Sequence, residues 1–218
     1  MDERALNNTL AISGMEVCKG RTGVLPVELN NTESITAFQF EVTLPDGIAL
    51  SKCQLTGRKG NDHTTSFKKM ENGHYQVTGI SLSKETFSGT EGTLVNLTIG
   101  VGDAVAAGNY TVGIGEIELT TADTKAIHPA DVSATLAVSD VKLGDANGDG
   151  KISITDAVAI VSHILGSDPE GFAVAAADVN GDGKVSITDA VAVVDMILNG
   201  EASAKKRDFE AEDVLDPQ

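Results

Sequence analysis

The chain has 218 residues, with 16 Lys and Arg against 32 Asp and Glu, so its formal net charge at pH 7 is −16. Such an acidic chain disfavours nucleic acid as a partner, because proteins bind the phosphate backbone by neutralising it with Lys and Arg. No stretch approaches the roughly 18 consecutive apolar residues of a membrane-spanning helix, and the length suits one medium-sized and one small domain.

The first part of the chain, residues 5–138, alternates short apolar runs with turn residues. The period-two alternation is clearest where Phe38, Phe40 and Val42 are separated by polar residues. Asn72-Gly73 is a dipeptide favoured in tight hairpin turns. The pattern predicts an all-β sandwich or jelly roll of about nine antiparallel strands. The predicted strands are residues 9–13, 23–29, 35–44, 48–55, 64–70, 74–82, 93–101, 110–119 and 134–138.

The two cysteines of the chain, Cys18 and Cys53, both lie in this first part. They can form a disulfide if their strands are neighbours that place the Cα atoms about 5–6 Å apart. Alternatively they are two buried free thiols. The sequence leaves both interpretations open.

The composition of the predicted sandwich bears on three classes of function. The chain has no Trp and two Tyr, which disfavours a carbohydrate-binding module, because sugars usually stack on exposed aromatic rings. No catalytic serine, reactive cysteine or zinc motif is present, and the adjacent Asp62-His63 is interpreted as a solvated turn. Paired carboxylates of a glycoside hydrolase stay an alternative, since their separation is a three-dimensional property. We expect a protein-interaction module and no enzyme.

Two twelve-residue segments, 145–156 and 178–189, repeat each other at a spacing of 33 residues. Oxygen-bearing side chains occupy positions 1, 3, 5, 9 and 12, and glycine occupies position 6, where a cation-binding loop turns sharply. Position 7 would contribute its backbone carbonyl, and position 12 is Asp in place of the more usual Glu. The pattern predicts two Ca²⁺ ions, one in each loop. The predicted ligands are Asp145, Asn147, Asp149, Lys151, Ser153 and Asp156 in the first loop, and Asp178, Asn180, Asp182, Lys184, Ser186 and Asp189 in the second.

An apolar run with helical spacing follows each loop, over residues 157–166 and 190–200. Each run begins after a Ser-x-x-Asp capping pattern and ends at a glycine. A shorter helix is predicted over residues 172–177. We expect the two exit helices to pack against each other through Val158, Val161, Ile164, Leu165, Val191, Val194, Ile197 and Leu198.

Residues 144–200 resemble a type I dockerin, a small all-α family with two EF-hand-like loop–helix repeats of this spacing and Asp at position 12. The resemblance implies calcium-dependent folding and binding to a cohesin, the receptor domain of cellulosome-like assemblies. Most well-studied members have serine at loop position 10, where this chain has isoleucine twice, so we expect a more apolar contact. The positions through which the family contacts and recognises its partner correspond here to Ile154, Thr155, Val161, Ser162, Ile187, Thr188, Val194 and Asp195.

The first part of the chain resembles cohesin domains in short motifs and topology. The segments that carry the resemblance are 23–30 (GVLPVELN), 35–40 (ITAFQF) and 113–119 (GIGEIEL). The resemblance implies a sandwich that binds dockerin-bearing proteins or has become a spacer. Carbohydrate-binding modules share this fold, so polysaccharide binding is retained as the alternative function.

Together these patterns predict a non-catalytic, calcium-dependent assembly or adhesion module. Its expected units are a cohesin-like sandwich (5–138), a dockerin (144–200) and a disordered tail (201–218). The resemblance implies a secreted or cell-surface protein of a polysaccharide-degrading complex, although no signal segment is recognisable in this sequence. Residues 139–143 span at most about 17 Å when extended, so we expect the two domains to contact each other.

Overall fold

The structure is a computed structural model, and it describes residues 3–199. The predicted disorder of residues 201–218 lies outside the described residues. The described strands are β1 (Asn8–Ile12), β2 (Met15–Cys18), β3 (Thr22–Asn31), β4 (Ile35–Thr43), β5 (Ile48–Leu55), β6 (His63–Lys69), β7 (Tyr75–Ser81), β8 (Thr93–Val101), β9 (Gly108–Thr121), β10 (Ala126–Ile127) and β11 (Val132–Ser139). The described helices are α1 (Glu3–Asn7), α2 (Ile154–Ile164), α3 (Val174–Ala177) and α4 (Ile187–Asn199).

The strands form two sheets that face each other, which confirms the predicted sandwich. One sheet has the order β1-β3-β8-β5, and the other has the order β2-β11-β9-β4-β7-β6, with β10 paired to β9. Alternate residues of both sheets fill a continuous apolar core. Phe38 and Phe40 are 2% and 0% exposed, as the alternation predicts, and their ring centroids lie 5.5 Å apart.

Two strands were not predicted. β10 has only two residues, and β2 has four, of which only Val17 and Cys18 are buried, so neither is long enough to show a period. The strand β2 also departs from the expected antiparallel arrangement, because it pairs in parallel with β11 from Met15↔Leu136 to Cys18↔Ser139.

Both cysteines are free thiols. Cys18 is on β2 and Cys53 is on β5, and these strands belong to different sheets. Cys18 is buried, and burial raises the pKa of its thiol to about 11. Cys53 is half-buried and its sulfur lies 3.6 Å from the Thr65 hydroxyl oxygen.

Helices α2 and α4 pack side by side, but through a face that we did not predict. Their shared core contains Ala157, Ile160, Ala190, Val193 and Met196. Seven of the eight side chains predicted to form this contact are exposed: Val158 (59%), Val161 (37%), Ile164 (43%), Leu165 (79%), Val191 (55%), Ile197 (41%) and Leu198 (74%). The prediction was wrong because these helices are apolar around most of their circumference, and the small alanines allow the closest approach.

The helical part contacts the sandwich directly, as the short linker predicts. The Cys18 thiol donates a hydrogen bond of 3.2 Å to the backbone carbonyl of Ala175 in α3. No helix within residues 3–199 is long and apolar enough to cross a bilayer.

Candidate metal centres and docking surface

The first loop folds back on itself through backbone hydrogen bonds to two of its predicted ligands, Asp145 and Asp156. Asp145 is 3% exposed, and its two carboxylate oxygens accept hydrogen bonds from the N–H groups of Asp149 (3.0 Å) and Gly150 (2.8 Å). Asp156 is fully buried at the start of α2 and accepts from the N–H of Asn147 at 3.1 Å. The first and last loop positions are thereby joined to the middle of the loop.

The second loop repeats this geometry position by position. Asp178 accepts from the N–H groups of Asp182 (3.2 Å) and Gly183 (2.9 Å). Asp189 is fully buried and accepts from the N–H groups of Val179 (2.9 Å) and Asn180 (3.2 Å). The sequence duplication therefore corresponds to a duplication of loop shape.

Glycine at position 6 is required by the backbone of both loops. Gly150 has a φ of 85° and Gly183 a φ of 83°, in the left-handed region that side chains disfavour. The turn at this position directs the N–H of each glycine to the carboxylate at position 1. The sharp turn predicted from the sequence is present in both loops.

The end of each loop also starts its exit helix. Ser153 is the N-cap of α2 and forms a capping box with Asp156, whose carboxylate accepts from the Ser153 N–H at 2.8 Å. In the second loop the Asp189 carboxylate accepts from the Ser186 N–H at 2.9 Å. One carboxylate at position 12 therefore closes the loop and fixes the first turn of the helix.

The electrostatics of the loops fit a divalent cation. Each loop places three carboxylates, at positions 1, 5 and 12, within twelve residues and has one exposed lysine. The pKa of Asp178 is raised to about 6, first by burial and then by the neighbouring charges of Asp189 and Asp182. Carboxylate, amide, hydroxyl and backbone carbonyl oxygens are the ligands that Ca²⁺ prefers. The residues present therefore fit calcium, although hydrogen bonds within the loops now engage several of these oxygens.

An apolar groove of about 440 Å³ lies between α2 and α4. Matched residues of the two repeats form its walls, and the isoleucines at loop position 10, Ile154 and Ile187, are each 61% exposed. An exposed apolar surface of this kind is typical of an interaction site. The groove is lined by Ile154, Ala157, Val158, Val161, Ser162, Ile187, Ala190, Val191 and Val194.

Five of the eight predicted partner-contact residues line this groove: Ile154, Val161, Ser162, Ile187 and Val194. Thr155 and Thr188 are exposed outside it, where each hydroxyl accepts from the side-chain amide of the asparagine at loop position 3. Asp195 is half-buried and does not line the groove. Sequence reasoning missed Val158 and Val191, since it assigned them to the helix core, although both lie one turn after an exposed isoleucine.

The sandwich does not present its tyrosines as a sugar platform. Tyr75 is 5% exposed, and Tyr110 is half-buried with its hydroxyl donating to the Ala106 carbonyl at 2.8 Å. Stacking on a sugar face needs an exposed ring. The alternative of carbohydrate binding is therefore not favoured.

A separate group of titratable side chains, Asp62, His63 and Glu85, has its ligand-type atoms within 4.8 Å of one another. The expectation of a solvated turn was wrong for His63, which is 6% exposed. Its Nδ1 accepts from the Gly60 N–H at 2.8 Å, and Glu85 accepts from the Asn61 N–H at 2.6 Å. The first bond joins the loop before β6 to the start of that strand, and the second joins the same loop to the loop after β7. This arrangement indicates a structural role.

Known proteins resemble both the helical part and the sandwich of this chain. Residues 143–198 match the family model of the dockerin type I domain. A search of curated proteins finds no match to the chain.

The sandwich matches solved cohesin structures. The sixth cohesin of scaffoldin B from Acetivibrio cellulolyticus, solved in complex with a dockerin, is 17% identical, with a TM-score of 0.52 over 61% of this chain and 99% of that one. A Clostridium acetobutylicum cohesin is 15% identical, with a TM-score of 0.53 over 64% and 94% of the two chains. A cohesin module of a Clostridium perfringens family 33 glycoside hydrolase is 12% identical, with a TM-score of 0.52 over 61% and 96%. At these identities the likeness establishes the fold. Residues 143–198 thus match the type I dockerin domain, and we refer to them as the dockerin; they follow a sandwich with the fold of cohesin domains.

Proposed function

We propose that this chain is a calcium-dependent assembly module whose dockerin, residues 144–200, binds a cohesin domain of another protein. The observation that carries the proposal is the open apolar groove between α2 and α4, whose walls are built from the two matched repeats. The cohesin-fold sandwich, residues 5–138, would be the second unit, joined to the dockerin by a short linker.

Each loop would hold one Ca²⁺ through its residues at positions 1, 3, 5, 7, 9 and 12, and the bound ion supplies positive charge among three carboxylates. Asp156 and Asp189 link the loops to the helices, because each closes a loop and also accepts from the first residue of its capping pattern. Ordering of the loops would therefore set the start of both helices, and hence the width of the groove.

The chemistry of the groove suits a protein surface. Its walls are almost entirely aliphatic, whereas Thr155 and Thr188 beside it carry hydroxyls. Burial of apolar area is the main favourable term in most protein association, so we expect the four exposed side chains at positions 154, 158, 187 and 191 to be the main contacts with the partner. Cohesin is the partner that the dockerin match supports. A secreted or cell-surface location in a polysaccharide-degrading or adhesion complex agrees with this partner.

The test combines calorimetry with binding. With Ca²⁺ present we expect two unfolding transitions and capture of the chain by an immobilised cohesin panel. Removal of Ca²⁺ by a chelator should abolish one transition and the capture, while the sandwich transition remains. A single transition that is identical with and without chelator would reject the proposal.

Substitutions in the groove separate recognition from folding. Val158→Asp and Val191→Asp place charges on side chains that are 59% and 55% exposed, so stability should change little while cohesin capture weakens at least about tenfold. Ile80→Asp, at a position that is 48% exposed on the sandwich strand β7, is the control for a charge introduced elsewhere.

A further inference from the structure

The two loops are nearly identical in sequence and internal hydrogen bonds, but they have different neighbours. The second loop lies against the start of β3. A Cβ placed on Gly181 would lie 3.3 Å from the Thr22 carbonyl oxygen, and a Cβ placed on Gly183 would lie 3.5 Å from the Cβ of Val24. The second loop therefore lies so close to the sandwich that an added methyl group at either glycine would contact it.

The first loop has no such neighbour at the corresponding positions. The nearest atom to a Cβ on Gly148 is the carbonyl oxygen of Gly171, at 3.3 Å, and this residue belongs to the dockerin itself. A Cβ on Gly150 would meet no atom of the described part of the chain within 4 Å. The pseudo-symmetry of the dockerin is thus broken by the sandwich at the second loop.

Two further features join the second loop to the sandwich. The helix α3, which immediately precedes this loop, accepts the buried hydrogen bond from the Cys18 thiol at the carbonyl of Ala175. A cavity of about 310 Å³ lies beside the contact, and residues of both domains, among them Arg21, Asp178 and Lys184, line it. The contact therefore extends over the segment that leads into the loop and over the loop itself.

We propose that the sandwich edge formed by Cys18, Thr22 and Val24 is a docking surface for the second calcium loop. Calcium binding in this loop is then coupled to the contact between the domains, whereas binding in the first loop is not. The inference rests on the proposed calcium function of the loops. Its physical basis is that Gly181 and Gly183 lie at turns of the loop and also close to Thr22 and Val24 of β3. A cation that orders the loop would therefore also favour its contact with the sandwich. Linkage makes the effect reciprocal.

Calcium titration of single-loop variants of the full chain tests the coupling. Asp149→Ala leaves the second loop intact, and Asp182→Ala leaves the first loop intact. Val24→Trp in each background adds bulk where Gly183 approaches, without a change of charge. We expect it to weaken Ca²⁺ binding about fivefold or more when only the second loop is intact, and to leave the affinity of the first loop unchanged.

Ile80→Trp is the matched control, because Ile80 is 48% exposed on β7 and does not line the cavity between the domains. It should leave both affinities unchanged. Equal weakening of both loops by Val24→Trp, or weakening of neither, overturns the coupling while the proposed calcium function stands. A full-length chain that binds no Ca²⁺ overturns both.

Nuclear magnetic resonance of the unsubstituted full chain provides a readout that does not depend on the variants. As Ca²⁺ is added, the amide resonances of Thr22 and Val24 should shift in step with that of Gly183 and independently of that of Gly150. Sandwich amides that follow neither glycine, or that follow Gly150, contradict the proposal.

Discussion

The sandwich and the dockerin are stabilised by different physical means. The sandwich encloses large apolar side chains such as Phe40, Leu97 and Ile99, all of them fully buried. Within residues 3–199 the dockerin core has ten buried residues, and five of these are alanine, which bury little apolar area. Domains this small commonly need a metal or a disulfide to remain folded. Burial of apolar side chains therefore stabilises the sandwich, whereas we expect neutralisation of crowded carboxylates by a cation to stabilise the dockerin.

The largest expected effect comes from removal of a position-12 carboxylate. Asp189→Ala removes a fully buried carboxylate that accepts from the N–H groups of Val179, Asn180 and Ser186. It also removes a proposed calcium ligand, and together these losses should destabilise the dockerin by about 3 kcal/mol or more. Calorimetry should show the dockerin transition lost and the sandwich transition unchanged. Asp168→Ala is the control, because this carboxylate is 70% exposed where it pairs with His163. This substitution should change the free energy of unfolding by less than about 1 kcal/mol. Equal effects of the two substitutions would contradict the comparison.

A substitution in the apolar core tests the stability of the sandwich. Leu97→Ala creates a cavity at a fully buried position on β8 and should destabilise the sandwich by about 2–5 kcal/mol. The number of Ca²⁺ ions bound should stay the same under conditions where the sandwich is still folded. Isothermal titration calorimetry measures this number, and its decrease would show that the dockerin depends on the sandwich core.

The smallest expected effect is a dependence of the calcium-free dockerin on pH. The folded-state pKa of Asp178 is raised to about 6, above its usual value, so the folded state favours the protonated carboxyl. This contribution to stability is present at low pH and is lost as the pH rises through about 6. After removal of calcium, circular dichroism should show more residual helix near about pH 5 than near about pH 7.5. Asp178→Asn should remove this difference, and its persistence would assign the effect to another group.

The sequence predicts the loops and most strands well, for a physical reason. A loop that surrounds a cation needs particular oxygens and a glycine at fixed positions. The pattern formed by Asp145, Gly150 and Asp156 can therefore be recognised from the sequence alone. The half-buried strands show their period in Phe38 and Phe40. Short strands such as β2 carry no period and were missed.

Two features of the site could not be predicted from the sequence. The exit helices are apolar on several faces, so their pattern cannot distinguish the packed face of Ile160 from the open face of Val158. The close approach of Gly181 to Thr22 involves a glycine and a backbone carbonyl. Hydrophobic periodicity reports only apolar side chains, so it cannot predict an approach of this kind. Both depend on how distant segments meet in space.

The parallel pairing of β2 with β11 has a mechanical consequence. The chain enters β2 at Met15 and leaves β11 at Ser139, the last strand residue before the dockerin. A pull between the N-terminal side of the sandwich and the tethered dockerin would draw these two strands past each other along their length. Their hydrogen bonds would then be loaded together in shear and would not open one at a time. We therefore expect this strand pair to resist such a pull.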